Sequence, residues 1–161
     1  MDARLNVGTA GNASVRCGDG LLITPSGRHP RDTAPGDMVR LALDGEVIGP
    51  GKPSSEWRFH CDLYRQRGDA GAVVHMHSPY ATTLSCQRRG LPPFHYTIAR
   101  FGGDDVRCAP YAPFATGELS QTVVDAMADR SACLMANHGA TVIGRNLDGN
   151  NLKRGFEDCL K

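Results

Sequence analysis

The chain reads as a single α/β domain with a sheet that is at least partly antiparallel. Three observations carry that expectation. Short apolar runs of strand length alternate with stretches whose apolar residues recur at helical spacing. An Asp44-Gly45 pair joins two such runs, as in a hairpin with a type I′ turn. The 161 residues include 19 glycines and 10 prolines, enough for many sharp turns.

Taken in order, Leu21 to Thr24 is an apolar run stopped by Pro25-Ser26-Gly27, a buried strand entering a turn. Met38–Leu43 and Glu46–Ile48 flank Asp44-Gly45 as the hairpin. Ser54-Ser55-Glu56 opens a helix, because a serine oxygen can accept from the free N–H groups of a first turn. Trp57, Cys61, Leu63 and Tyr64 form its apolar face to about Arg67. Gly71 to His77 is a strand, and Pro79 to Ser85 a helix. His95–Ala99 and Val106–Ala109 are expected as short strands around Phe101-Gly102-Gly103-Asp104. Gly117 to Arg130 is expected as a helix burying Leu119, Val123, Val124 and Met127. Ala132–Ala136 and Ala140–Ile143 are strands on either side of Asn137-His138-Gly139. Leu152, Phe156, Cys159 and Leu160 are spaced for one short terminal helix, weakened by Gly149 and Gly155.

Composition narrows the function classes. Eighteen basic and 17 acidic residues leave a net charge of +1, so nothing draws the chain to nucleic acid or an anionic membrane. Mean hydropathy is −0.33, and no apolar run approaches the ~20 residues of a membrane span. The first residues, MDARLNVGTAGN, contain no apolar signal segment. Six cysteines, at 17, 61, 86, 108, 133 and 159, form no CxxC pair. They read as reduced residues of a cytoplasmic protein.

His75-Met76-His77 is the strongest chemical signal. On a strand, residues i and i+2 share a face with Cα atoms about 6.6 Å apart. Two imidazoles so placed can both reach one metal at about 2.0 Å. On a helix they would diverge by roughly 200°. Two polar residues at a strand end is the plainer alternative. His138, at the end of another strand and beside Gly139, supplies a third imidazole. Three neutral histidines with one open position is the catalytic zinc arrangement. His29, His60 and His95 have no such setting: a loop residue, a helix residue and a strand-edge or loop residue.

Three small-residue corners precede the histidines: Gly8-Thr9-Ala10-Gly11-Asn12, Thr24-Pro25-Ser26-Gly27 and Pro53-Ser54-Ser55-Glu56. A helix start offers N–H donors to an anion, and the Ser26, Ser54 and Ser55 hydroxyls and the Asn12 amide can add to them. Each corner alone is equally an ordinary turn or cap. Glu56 is either a first-turn glutamate favoured by the helix dipole or a base beside a metal-bound carbon acid.

GTAGNASVR (8–16), LITPSG (22–27), GKPSSEWRFH (51–60), AVVHMHSPYAT (72–82), FGGDDVRCAPYAPF (101–114) and ANHGATVIGR (136–145) together resemble the class II aldolase/adducin family, in its L-fuculose-1-phosphate aldolase-like branch. The resemblance covers residues 8 to 145. It implies a three-layer α/β/α domain with a largely antiparallel central sheet, one Zn²⁺ per subunit held by His75, His77 and His138, and a homotetramer. It implies that Glu56 is a displaceable ligand or the acid/base, and that Gly11, Asn12, Ser26, Gly27, Ser54 and Ser55 bind the substrate phosphate. Tyr96 matches a tyrosine that reaches the neighbouring subunit's active site, and Phe114 an aromatic residue near that interface.

The implied reaction cleaves a ketose 1-phosphate to dihydroxyacetone phosphate and an aldehyde through a metal-stabilised enediolate, in carbohydrate and pentose catabolism. Other zinc lyases, dehydratases, epimerases or decarboxylases on the same scaffold, or a non-catalytic adducin-like or inactive truncated scaffold, are the alternatives. Family members carry a helix before GTAGN and further helices after the third histidine. Here seven residues precede Gly8 and 23 follow His138, so residues 1–161 are expected to be one domain shortened at both ends.

Overall fold

The computed structural model describes residues 6–147, so the expected terminal helix around Leu152, Phe156, Cys159 and Leu160 lies outside the described residues. Eight strands form one sheet: β1 (Asn12–Cys17), β2 (Gly20–Ile23), β3 (Val39–Ala42), β4 (Val47–Ile48), β5 (Ala72–Met76), β6 (Arg107–Ala109), β7 (Ala132–Met135) and β8 (Gly139–Gly144). Among the described residues three α-helices accompany them: α1 (Trp57–Gln66), α2 (Pro79–Cys86) and α3 (Gly117–Ala126). The sheet runs β4-β3-β2-β1-β5-β8-β7-β6. Its neighbours are antiparallel except β6 and β7.

Strand alternation divides the apolar residues between two cores. Cys133, Met135 and Val73 face α1 and α3, joining Phe59, Leu63, Tyr64, Leu119 and Val123. Ala132, Leu134 and Val142 face the other way, joining Ala81 of α2 and Ile98 and Phe101. Helices therefore cover both faces, which makes the three layers. Side chains such as Leu21, Ile23 and Leu41 are fully buried, each contributing about 1.5–3 kcal/mol of hydrophobic stabilisation.

Four local expectations are corrected. The 38–48 hairpin forms, but not with a type I′ turn, which needs positive φ at both central residues. Only Gly45 has it, at +95°, while Gly45 N–H donates to Ala42 O and Ala42 N–H to Glu46 O. The loop is three residues long, with glycine in the left-handed position. Tyr96–Phe101 is a 3₁₀ helix rather than a strand, its His95 cap accepting from Thr97 N–H. The helix expected over 117–130 stops at Ala126; its start is capped by Thr116, whose Oγ1 accepts from Leu119 N–H. The helix expected from Ser54 begins at Trp57.

Strand β1 has no counterpart in the expectations above. Its inward positions are Asn12 and Ser14, both buried and polar, so the usual alternation of apolar and polar residues is absent. The described cysteines, Cys17, Cys61, Cys86, Cys108 and Cys133, are free thiols. Among the described residues no helix is long and apolar enough to cross a membrane.

Candidate active site

Strand β5 presents His75 next to its end and His77 one residue beyond it. The β7–β8 turn brings His138 alongside, because β8 pairs with both β5 and β7 at this end: Met76 opposes Ala140, and Met135 opposes Gly139. Asn137 takes a positive φ of +57° to make that turn. A Cβ on Gly139 would lie 2.4 Å from Met76 O and 2.8 Å from His77 Cδ2. Glycine at 139 thus lets the third histidine approach the first two.

The three imidazoles offer nitrogens that all lie within 4.8 Å of one another. His75 Nδ1–H donates to Ala140 O at 3.0 Å, which leaves a lone pair on Nε2. That atom is 2.8 Å from His77 Nε2 and 3.2 Å from Glu56 Oε2. Burial, reinforced by the neighbouring imidazoles, holds His75 well below its usual pKa. Burial also lowers His77, and burial plus His77 pushes His138 down to about 4. All three are therefore neutral at pH 7, the form that donates a lone pair to a metal.

Glu56 immediately precedes α1 and makes no side-chain cap bond. Its carboxylate turns inward, and the residue is only 4% exposed. Oε2 accepts from Asn12 Nδ2 at 2.9 Å, while Oε1 stands 3.3 Å from His138 Nε2 and, though buried, has no hydrogen-bond partner among the described residues. Burial pushes Glu56 up to about 7, opposed by the Asn12 hydrogen bond. Glu56 Oε1 beside His138 and Oε2 beside His75 put a buried carboxylate against a group of three imidazoles, which fits a divalent cation that would satisfy all four groups at once.

The three small-residue corners meet beside this cluster. Thr24 Oγ1 accepts from Ala13 N–H, Ser26 N–H donates to Lys52 O, and Ser54 N–H donates to Thr24 O. Gly11 and Gly27 have φ of +75° and +67°. Ser26 is half-buried, Ser54 buried, and Gly27 and Ser55 exposed. Asn12 is buried, and both ends of its carboxamide are engaged, the nitrogen by Glu56 and the oxygen by His60.

Tyr96 lies apart from the cluster of its own chain, 84% exposed at the start of the 3₁₀ helix. Phe114, also exposed, has its ring 6.2 Å from that of His138 and borders the site. His29 accepts from Arg31 N–H as a loop cap.

His60, expected as an ordinary helix residue, is fully buried. Its Nε2 lies 2.6 Å from Asn12 Oδ1 and its Nδ1 2.7 Å from Ser14 Oγ. The available signal was its place one helical turn after Glu56. Burial pushes its pKa down to about 3. An unfolded chain takes up this proton below about 6.5 while the folded one refuses it. Stability is thus fully present above pH 6.5 and falls as pH drops towards 3, by up to roughly 1.4 kcal/mol per unit from this group. Urea midpoints at pH 7 and pH 5 test this: His60→Gln is expected to flatten the dependence, and an equal slope in that variant contradicts it.

The profile of the Class II Aldolase and Adducin N-terminal domain matches residues 1–149. A 5-methylthioribulose-1-phosphate/5-deoxyribulose-1-phosphate aldolase of Rhodospirillum rubrum is 55% identical over 143 residues, covering 89% of this chain and 65% of that one. An L-fuculose phosphate aldolase of Escherichia coli K12 is 45% identical over 144 residues, covering 89% and 67%. A solved L-fuculose 1-phosphate aldolase superposes with a TM-score of 0.93 at 40% identity, covering 99% of this chain and 76% of that one. The chain spans about two thirds of the length of these curated relatives.

Proposed function

The chain belongs to the class II aldolase and adducin family, and on that premise we propose that it is a zinc-dependent aldehyde-lyase. Its substrate is a ketose 1-phosphate, cleaved to dihydroxyacetone phosphate and an aldehyde. The observation that carries this reading is the convergence of three neutral imidazoles with a buried carboxylate whose Oε1 has no hydrogen-bond partner among the described residues. His75, His77 and His138 would hold the ion, with Glu56 as a displaceable fourth ligand. Zinc suits three imidazoles with an open position. When bound it supplies Lewis-acid stabilisation of the negative charge left as the C3–C4 bond breaks.

The chain's own groups do the rest. Gly11, Asn12, Ser26, Gly27, Ser54 and Ser55 take the phosphate and fix the ketone end, a gain in orientation. The remaining N–H of the Asn12 carboxamide is the one its amide has to spare. Cleavage requires the C4 hydroxyl to lose a proton as the electron pair of the C3–C4 bond moves to C3. Glu56 then delivers a proton to C3, completing dihydroxyacetone phosphate. Tyr96, exposed and outside its own cluster, exchanges the C4 hydroxyl proton in a neighbouring subunit of a homotetramer. We place this activity in the cytoplasm, on the cysteine usage.

The substrates named for the relatives share the phosphate end and differ beyond C4. A panel of L-fuculose 1-phosphate, 5-deoxyribulose 1-phosphate and 5-methylthioribulose 1-phosphate, with zinc content measured beside it, tests the proposal. Release of dihydroxyacetone phosphate from at least one, at one zinc per subunit, is expected. No release from any, or turnover undiminished after zinc is stripped, overturns it. The identity with the Rhodospirillum rubrum protein favours one of the ribulose-derived substrates of that panel.

A further inference from the structure

Five polar side chains run from the core to the site in one hydrogen-bonded line. Tyr64 Oη lies 2.9 Å from Ser14 Oγ, which lies 2.7 Å from His60 Nδ1. His60 Nε2 lies 2.6 Å from Asn12 Oδ1, and Asn12 Nδ2 donates to Glu56 Oε2 at 2.9 Å. The line joins β1, α1 and the residue just before α1. None of its inner members, Tyr64, Ser14 or His60, touches the imidazole cluster through a hydrogen bond.

The direction of the line follows from its end. Glu56 Oε2 accepts whether the carboxyl is ionised or carries its proton on Oε1, so Asn12 turns its N–H₂ to Glu56 and its oxygen to His60. That oxygen requires a proton on His60 Nε2. A neutral His60 then has a bare Nδ1, so Ser14 O–H donates to it, and Ser14 oxygen is left to accept from Tyr64 O–H. Reversing the amide of Asn12 would place its oxygen against the carboxylate and its N–H₂ against the Nε2–H. Amide oxygen and nitrogen are nearly the same size, so packing alone does not choose between the two orientations.

We infer that His60 is a positioning residue for Glu56, acting through Asn12. It holds the Asn12 amide in the one orientation that anchors Oε2 and leaves Oε1 beside His138. This rests on the reading of Glu56 as the site carboxylate. Ser14 serves by holding the His60 tautomer, and Tyr64 by holding Ser14. A buried hydrogen-bonded line of this kind orients the group at its end.

The test combines His60→Gln and His60→Leu with Asn12→Ala. Glutamine carries an N–H near the position of Nε2; leucine carries none. His60→Leu is expected to lower kcat and zinc affinity, read by competition with a chelating dye, by about 10–100-fold, as loss of a group that orients a ligand does. KM should change little, and His60→Gln should recover most of the loss. In the Asn12→Ala background His60→Leu should cost almost nothing further, because the amide through which it acts is gone. Nitrogen-15 NMR of the wild-type protein should show His60 as the Nε2–H tautomer.

Equal losses in the leucine and glutamine variants, an undiminished cost of His60→Leu without Asn12, or an Nδ1–H tautomer each overturn the inference. A merely structural His60 would shift the urea midpoint without those dependences. If the wild-type chain cleaves none of the substrate panel, the proposed function fails, while the tautomer still decides the inference.

Discussion

His75→Ala will leave the chain without stoichiometric zinc and reduce aldol cleavage by on the order of 10³-fold or more. A Lewis acid contributes several kcal/mol to the stabilisation of developing charge, and about 1.4 kcal/mol is a factor of ten in rate. His75 is the most constrained of the three imidazoles. It is fully buried, its Nδ1–H is committed to Ala140 O, and its Nε2 faces both His77 and Glu56. Two imidazoles that remain cannot hold the ion in the geometry of three. Metal analysis of the purified variant, with circular dichroism to verify the fold, reads the result. Zinc at one equivalent with cleavage within threefold of wild type would refute the metal assignment.

Glu56→Gln will separate metal binding from proton transfer. The amide keeps the shape of the side chain and its contact with Asn12 must be rebuilt, but it neither takes up nor delivers a proton at C3. Turnover is expected to fall by about 10²–10⁴-fold, the contribution of a positioned acid/base. Zinc should remain bound by His75, His77 and His138. Burial holds the Glu56 carboxyl at about 7, so its charged form is disfavoured in the metal-free chain. The variant should consequently fold at least as stably as wild type at pH 8 without metal. A glutamate serving only the helix start would give the reverse pattern, with lowered stability and unchanged kcat. That pattern would remove Glu56 from the chemistry.

Much of the scaffold was legible because it is built from signals that act locally. Pro79 at the first helical position, Gly45 in the hairpin loop and the all-buried run Ala132–Met135 each announce an element. Strand β1 was hidden because its inward face carries Asn12 and Ser14, whose burial depends on partners 44 to 50 residues away. The 3₁₀ helix at Tyr96–Phe101 buries Ile98 and Phe101 under the sheet, and short apolar runs do not distinguish that use from a strand. The early stop of α3 is a similar case: Arg67 reaches across from the end of α1 to Met127 O and Arg130 O, satisfying carbonyls that another turn of helix would have used.

The residue pattern pointed to the α/β class and singled out the three histidines, and the order of its motifs carried the resemblance to the family, since these depend on local spacing and motif order along the chain. Folding decided the state of the site. It turned Glu56 from a helix-start position into a buried carboxylate, pushed all three imidazoles below their usual pKa, and set His60 behind Asn12. Those properties depend on the removal of water and on which distant groups arrive at each atom. No window of sequence carries that information, because desolvation and long-range hydrogen bonding exist only once the strands and helices have packed.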